Sequence, residues 1–335
     1  VSVSFVDKIG YRASMLIAHI MSAAGLIFLT FLPKLFSSAF IGILISVMVY
    51  AIGGGLLEVL VSPVVEACPS DNKEKAMSML HSFYCWGHVA VVLISTLFFA
   101  LFGIENWRIL AIFWALIPLG NAVAFLKVPM ASLIEDGEEG MKIKDLFRMQ
   151  IFWVLFVMMI CAGASEQAVS QWASAFAEKG LGITKAAGDL VGPMAFAILM
   201  GTARAFYGKY GDQIDLNRFM MFSCILCVAS YLGIVMFPIP LLSLIACAVC
   251  GLSVGIMWPG TFSKASAALP KGGTALFAFL ALGGDVGCSV GPTLVGSVSS
   301  MAGENLKIGI LAAIVFPIVL FLGILYMKKC SGRPT

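Results

Sequence analysis

Ionisable side chains occur inside long apolar segments of this chain, where a charge is costly and usually serves a function. Glu58 closely follows three consecutive glycines in one such segment, and Asp285 is flanked by glycines in another. His88 lies in a third apolar segment, and histidine is the side chain most easily switched near neutral pH. Such groups can take up and release a proton, so we predict proton-coupling roles for Glu58, Asp285 and His88.

Amide and aromatic side chains form a second group with a different chemistry. Gln167, Gln171 and Ser174 recur at the spacing of one helix face, and Glu166 and Trp172 are their neighbours. Amides and an indole suit a ligand with several hydroxyl or amide groups, through hydrogen bonds and ring stacking. We therefore predict that Glu166, Gln167, Gln171 and Trp172 contact a small polar solute.

A further aromatic group stands at an expected bend. Trp258 precedes Pro259 within an apolar segment, where proline frees a backbone carbonyl and permits a kink. The indole of Trp258 could stack on a sugar ring, and we predict such a contact. A structural role as a packing residue or a helix-to-helix hydrogen bond is the alternative for all these groups, and the sequence leaves it open.

Ten long apolar segments must position these side chains. Each is long enough to cross a bilayer, which takes about 20 mainly apolar residues at helical rise. They cover residues 13–33, 38–67, 76–103, 107–127, 149–177, 186–207, 214–236, 239–263, 274–300 and 306–327. Hydrophobic residues make up 60% of the chain and charged residues 12%, a balance that a soluble protein of 335 residues could not bury. The sequence predicts an all-α polytopic membrane protein.

The basic residues orient these segments. If the residues before Ala13 are cytoplasmic and the segments alternate, 16 of the 21 Lys and Arg residues fall on the cytoplasmic side. The net charge of +3 is then a topology signal, and no basic cluster with interleaved aromatics suggests nucleic-acid binding.

No cofactor, metal site or enzymatic motif is expected. The two C-x-x-C pairs, Cys224/Cys227 and Cys247/Cys250, lie inside apolar segments with no loop to fold around a metal. The chain has neither a His-Glu-x-x-His motif nor a phosphate-cradling loop. We predict that the protein is not an enzyme.

The longest polar stretch, residues 129–148, divides the chain. We predict a helix bundle over 1–128 with four complete spans, a cytoplasmic linker over 129–148 and a six-helix bundle over 149–335. Repeated halves with a site between them are a recurrent transporter plan. Six spans in each half would require two further spans in front, so the chain is expected to be truncated at its N-terminus.

A short turn carries a resemblance to a known family. Residues 7–12, Asp-Lys-Ile-Gly-Tyr-Arg, resemble the cytoplasmic loop motif of the major facilitator superfamily, although Val3 stands where the motif usually opens with glycine. The resemblance implies a two-bundle fold in which ten helices are visible. We predict that Asp7, Lys8, Gly10 and Arg12 form a gating loop whose ion pairs bias a two-state equilibrium.

The second half has a counterpart to this loop. Arg204 is predicted to lie near the cytoplasmic end of its span, to snorkel towards the surface and to form a gate with Asp212.

Two segments look like one branch of that superfamily, the fucose permeases. Residues 53–63 are similar to its fourth helix, with Ser62 in place of an asparagine. Residues 79–87 are similar to its fifth helix, where His81 and Tyr84 fall at sugar-contacting positions. The resemblance implies that Glu58 is the protonatable carboxylate of a symport mechanism.

These observations together predict a secondary active transporter that moves a small polar solute, a sugar first of all, by proton-coupled symport and alternating access. Its expected partners are the solute, a proton and the lipid bilayer, and we expect a monomer in a bacterial inner membrane. Two alternatives stay open: a drug/proton antiporter of the same superfamily, and a non-transporting membrane protein or fragment. The segment 87–95 lacks the Gly-rich motif ending in Gly-Pro that such antiporters carry on the fifth helix.

Overall fold

Helices make up the regular secondary structure of the chain. The structure, a computed structural model, describes residues 2–130, 141–184, 187–188 and 190–331, and within these ranges it contains no strand. Side chains are described for the same residues except 2–5, 7, 179–181 and 330–331.

Thirteen α-helices follow one another along the described residues. Before the linker these are α1 (Ser2–Leu35), α2 (Ala39–Ala67), α3 (Lys73–Phe102) and α4 (Trp107–Phe125), and the short α5 (Ile143–Arg148) lies within it. After the linker come α6 (Gln150–Leu181), α7 (Ala195–Tyr210), α8 (Leu216–Met236), α9 (Pro240–Val254), α10 (Met257–Ala268), α11 (Gly273–Met301), α12 (Leu306–Ala312) and α13 (Val315–Ser331). A π-helical turn, Leu190–Met194, precedes α7.

Ten helical segments within these residues are long and apolar enough to cross a membrane. Seven of them come from α1, α2, α3, α4, α6, α8 and α11, while α7 crosses with its flanking turns. The pairs α9–α10 and α12–α13 each form one span that is interrupted midway. The prediction of an all-α polytopic membrane protein with ten visible spans is confirmed.

The interruption between α9 and α10 has a clear local cause. Pro259 has no amide hydrogen, so the carbonyl of Gly255, four residues earlier, receives no helical hydrogen bond from it. That carbonyl instead accepts a hydrogen bond from Nε of Arg204 at 2.8 Å. The bend expected at this proline is therefore present, and the freed carbonyl is satisfied by a side chain of another span.

The chain forms two compact units. One contains Val1–Pro69, Ile94–Glu139 and Gly273–Ala278, and the other contains Ser70–Leu93, Gly140–Gly272 and Phe279–Thr335. Helices α3 and α11 therefore contribute to both units. The predicted domain boundary at the linker stays a prediction.

In the first unit, α1 and α2 approach each other closely. A Cβ atom at Gly53 would lie 2.6 Å from the backbone nitrogen of Ser22 and 2.7 Å from the carbonyl oxygen of Ala18. Gly54 and Gly55, by contrast, have nothing within 4 Å of their Cβ positions. Only the first of the three glycines before Glu58 thus serves close packing among the described residues.

In the second unit, glycines of α11 lie directly against the backbone of α6. A Cβ at Gly291 would be 2.6 Å from the carbonyl oxygen of Ala164, and one at Gly287 would overlap that of Ile160. Gly284 meets Gly163 in the same seam. Small residues at such positions let membrane helices pack through their backbones.

Gly287→Ala is expected to destabilise the protein by about 1–3 kcal/mol, because the added methyl group would force α6 and α11 apart. Thermal unfolding of the purified protein in detergent measures the change. Gly120→Ala on α4 is the matched control, since nothing lies within 4 Å of its Cβ position. Equal melting temperatures for the two variants would contradict the close packing.

Candidate functional site

A buried ion pair joins α6 and α7 in the second unit. Nη2 of Arg204 donates to Oε2 of Glu166 at 2.9 Å. The side chain of Arg204 is 2% exposed and that of Glu166 is 7% exposed. Two opposite charges at this depth must compensate each other, because an unpaired charge there would be strongly destabilising.

Arg204 also contacts two other parts of the second unit. Nη1 donates to the carbonyl oxygen of His81 at 3.0 Å and to Sγ of Cys85 at 3.2 Å, both on α3. Nε donates to the carbonyl of Gly255 between α9 and α10. The prediction that Arg204 snorkels is wrong, because its guanidinium lies in the interior and finds its carboxylate partner in Glu166.

A cavity of about 360 Å³ lies next to this ion pair within the same unit. Helices α3, α6 and α7 and the turn before α7 line it with carboxylate, amide, hydroxyl, imidazole and apolar groups. The lining residues are Tyr84, His88, Glu166, Gln167, Ser170, Gln171, Ser174, Pro193, Phe196, Ala197 and Met200.

The cavity brings together predicted site residues that are distant in sequence. Tyr84 and His88 from α3 stand with Glu166, Gln167 and Gln171 from α6. The helical spacing of Gln167, Gln171 and Ser174 on α6 could be recognised in the sequence. Their proximity to α3 could not, because it depends on how the helices pack. The apolar wall formed by Pro193, Phe196, Ala197 and Met200 was not predicted from the sequence. The one signal there was the proline, which can interrupt a helix.

Comparison with known proteins gives the family. Residues 1–292 match the family model described as Major Facilitator Superfamily. The chain belongs to this superfamily. It is therefore a membrane transporter and not an enzyme. No curated protein matches the transporter significantly in sequence.

Solved transporter structures share the fold. The E. coli fucose:proton symporter FucP (N162A) is 15% identical with a TM-score of 0.80, over 97% of this chain and 86% of that one. The proton:xylose symporter XylE is 13% identical with a TM-score of 0.79, over 97% and 81%. The human organic anion transporter MFSD10 is 16% identical with a TM-score of 0.70, over 96% and 79%. At these identities the likeness extends to the fold, and the transporter's substrate has to be argued from its own residues.

Three predicted solute contacts of the transporter are not among the residues that line this cavity. Nε1 of Trp172 donates to the carbonyl of Pro292 at 3.2 Å. The rings of Trp258 and His81 both pack against Phe262, at centroid distances of 6.3 and 5.8 Å. Trp258 is 8% exposed. These contacts are structural, and a solute role for the three residues stays a prediction.

The two carboxylates predicted to couple protons lie on helices that do not contribute to this lining. Glu58 is half-buried on α2 in the first unit, and Asp285 is exposed on α11 in the second unit. Asp285 is adjacent to Gly284, which packs against α6, so its side chain leaves α11 in a different direction. His88, the third predicted group, lines the cavity. Proton coupling by all three stays a prediction.

The predicted gating loop is built around a helix break in the first unit. Gly10, within α1, has φ 80° and ψ 161°, a conformation that favours glycine. Nη1 of Arg12 donates to the carbonyls of Phe125 and Leu126, each at 2.8 Å, at the end of α4. Lys8 is exposed, and the side chain of Asp7 lies outside the described residues. Arg12 thus donates hydrogen bonds to the last carbonyl groups of α4. The gating role of the loop stays a prediction.

Asp212, in the turn that follows α7, meets the start of α3 within the second unit. Its carboxylate forms an ion pair with Lys75 and accepts a hydrogen bond from Nδ2 of Asn72 at 2.9 Å. One turn earlier on α7, the hydroxyl of Tyr207 donates to Oε2 of Glu74 at 2.7 Å. These polar contacts hold the start of α3 against the end of α7, which suits the predicted gating role of Asp212.

Asp212→Asn is expected to change the initial transport rate by no more than about fivefold. The side chain of Asp212 is 58% exposed, and exposed ion pairs contribute little because water and salt screen them. Initial uptake rates in proteoliposomes test this, with Asp71→Asn, just before the start of α3, as the control. A loss of tenfold or more at Asp212 alone would show that the contact carries more free energy than exposed pairs do.

Proposed function

We propose that the protein is a proton-coupled symporter of a small polar solute, with a sugar as the first candidate. The observation that carries this proposal is the cavity lined by Tyr84, Glu166, Gln167 and Gln171. Its volume of about 360 Å³ is near the lower end of the range of about 300–1,000 Å³ for ligand sites, which suits a small solute.

The lining chemistry matches a polyhydroxylated ligand. Carboxylate and amide oxygens accept hydrogen bonds from hydroxyl groups, and amide nitrogens donate to hydroxyl oxygens. The phenol ring of Tyr84, which is 54% exposed, offers a face on which a sugar ring can stack. Gln167 and Gln171 are one helical turn apart, so both amides can reach neighbouring hydroxyl groups of one ring.

Glu58 is the proposed proton carrier. Its helix has a mean hydropathy of 2.3 over its most apolar window and is long enough to span the membrane. A carboxyl group at this depth can be neutral at one stage of the transport cycle and charged at another. Asp285 and His88 are the other groups proposed to take part.

Two relatives of the same fold support this direction. FucP is described as a fucose:proton symporter and XylE as a proton:xylose symporter. We propose that the transporter works as a monomer, by alternating access, in a bacterial inner membrane, which its short connecting loops suit.

Uptake of labelled monosaccharides into proteoliposomes tests the proposal. The purified full chain is reconstituted, and uptake is compared with and without an inward proton gradient and with a protonophore. We expect one sugar to accumulate above its external concentration only when the gradient is present. Absence of accumulation for every sugar would refute sugar symport, and gradient-driven export of a solute would instead favour the antiporter.

A further inference from the structure

The guanidinium of Arg204 is occupied by the protein itself. Its bonds to Glu166, His81, Cys85 and the carbonyl of Gly255 account for four of the five N–H groups of an arginine. Its side chain is also only 2% exposed. A solute entering the cavity therefore does not meet a free cation at this position.

Glu166 is placed differently, although it belongs to the same ion pair. Arg204 donates to its Oε2 through one N–H group, and a carboxylate has about four acceptor positions. Glu166 also lines the cavity. The carboxylate therefore keeps acceptor capacity for hydroxyl groups of a solute, while Arg204 stabilises its negative charge from behind.

The charges of this site are balanced before any solute binds. Glu166 and Arg204 compensate each other, and the remaining lining contributes amide, hydroxyl, imidazole and apolar groups but no second carboxylate, lysine or arginine. An anionic solute would place its charge near the Glu166 carboxylate, and a cationic solute that drew on this carboxylate would take its compensation away from Arg204. Either addition leaves one buried charge without compensation, which is strongly unfavourable.

We infer that this cavity selects uncharged, hydroxyl-rich solutes of monosaccharide size, with Glu166 as a direct hydroxyl acceptor and Arg204 as the residue that holds its charge. The inference rests on the proposed function and names the substrate class of the same site. It distinguishes this protein from a transporter of organic anions, although one such protein shares the fold.

Matched sugars that differ only in charge test this inference. Binding to the purified full chain is measured by isothermal titration calorimetry at neutral pH for glucose, galactose and mannose, and for the uronate and the 2-amino sugar of each. We expect at least one neutral hexose to bind, and its uronate and amino sugar to bind at least tenfold more weakly. Binding of a uronate or amino sugar as tight as that of its hexose, or no binding of any neutral hexose, would overturn the inference.

Glu166→Gln provides the second measurement. The amide preserves the size of the side chain but leaves the charge of Arg204 without a partner, so this variant should lose affinity for the hexose and prefer the uronate. Glu178→Gln is the matched control, because Glu178 lies on the same helix and is not among the residues lining this cavity. An unchanged order of hexose and uronate affinities in a folded Glu166→Gln variant would contradict the assigned role.

The inference and the proposed function fail in different ways. Proton-driven accumulation of a uronate or of another organic anion would retain symport and overturn the selection of uncharged solutes. Binding restricted to neutral hexoses, together with uptake that ignores the proton gradient, would retain the selection and refute proton coupling.

Discussion

Arg204→Gln is expected to destabilise the transporter by about 3–5 kcal/mol, the usual effect of removing one partner of a buried ion pair. The substitution leaves the Glu166 carboxylate uncompensated at 7% exposure. It also removes hydrogen-bond donors from the carbonyls of His81 and Gly255, which belong to two other helical spans. Thermal unfolding of purified protein in detergent measures the loss.

Two comparison variants make this result specific. Lys209→Gln removes a positive charge from the same helix at an exposed position and should leave the melting temperature almost unchanged. The double variant Glu166→Gln/Arg204→Gln removes both charges and should recover part of the stability lost in Arg204→Gln, because no buried charge is left unpaired. Additive losses in the double variant would mean that the two residues do not interact.

Glu58→Gln is expected to abolish accumulation of solute driven by a proton gradient while solute exchange across the membrane persists. Glutamine has nearly the size of glutamate but cannot bind and release a proton, so we expect the coupling step to be lost while the proposed solute site in the second unit remains. Uptake in proteoliposomes, with and without a pH gradient, measures accumulation, and counterflow of labelled solute measures exchange.

Glu66→Gln is the control for that experiment, since Glu66 lies about two turns further along the same helix, next to its C-terminal end. It should retain gradient-driven uptake. Unaltered gradient-driven uptake in Glu58→Gln would remove Glu58 from the mechanism, and Asp285 or His88 would then be the next groups to substitute.

Much of the fold follows from composition and length. Every predicted span corresponds to one of the ten helical segments that can cross a membrane, because in a bilayer only helices satisfy the backbone of a long apolar run. The bend at Pro259 was also predictable, since the missing amide hydrogen is a property of that one residue.

The candidate site was only partly predictable. Gln167 and Gln171 were recognisable because helical spacing is local, and both line the cavity. Trp172 and Trp258 were predicted to contact the solute as well. In the structure, however, Trp172 donates a hydrogen bond to the carbonyl of Pro292, and Trp258 packs against Phe262. Residue type alone does not distinguish a cavity-facing ring from a packed one, because both are aromatic groups in apolar spans.

The sequence by itself determined the membrane-spanning helices, their family and the stripe of polar groups on α6, because these depend on hydrophobicity, motif and helical period. Only the tertiary structure decided the partner of Arg204. In sequence Asp212 is nearer to Arg204, whereas Glu166 lies 38 positions away. Helix α9 packs against both α6 and α7, which brings Arg204 and Glu166 together. A buried arginine requires compensation of its charge, and Glu166 supplies it. That long-range contact places a positive charge directly behind the carboxylate that lines the cavity.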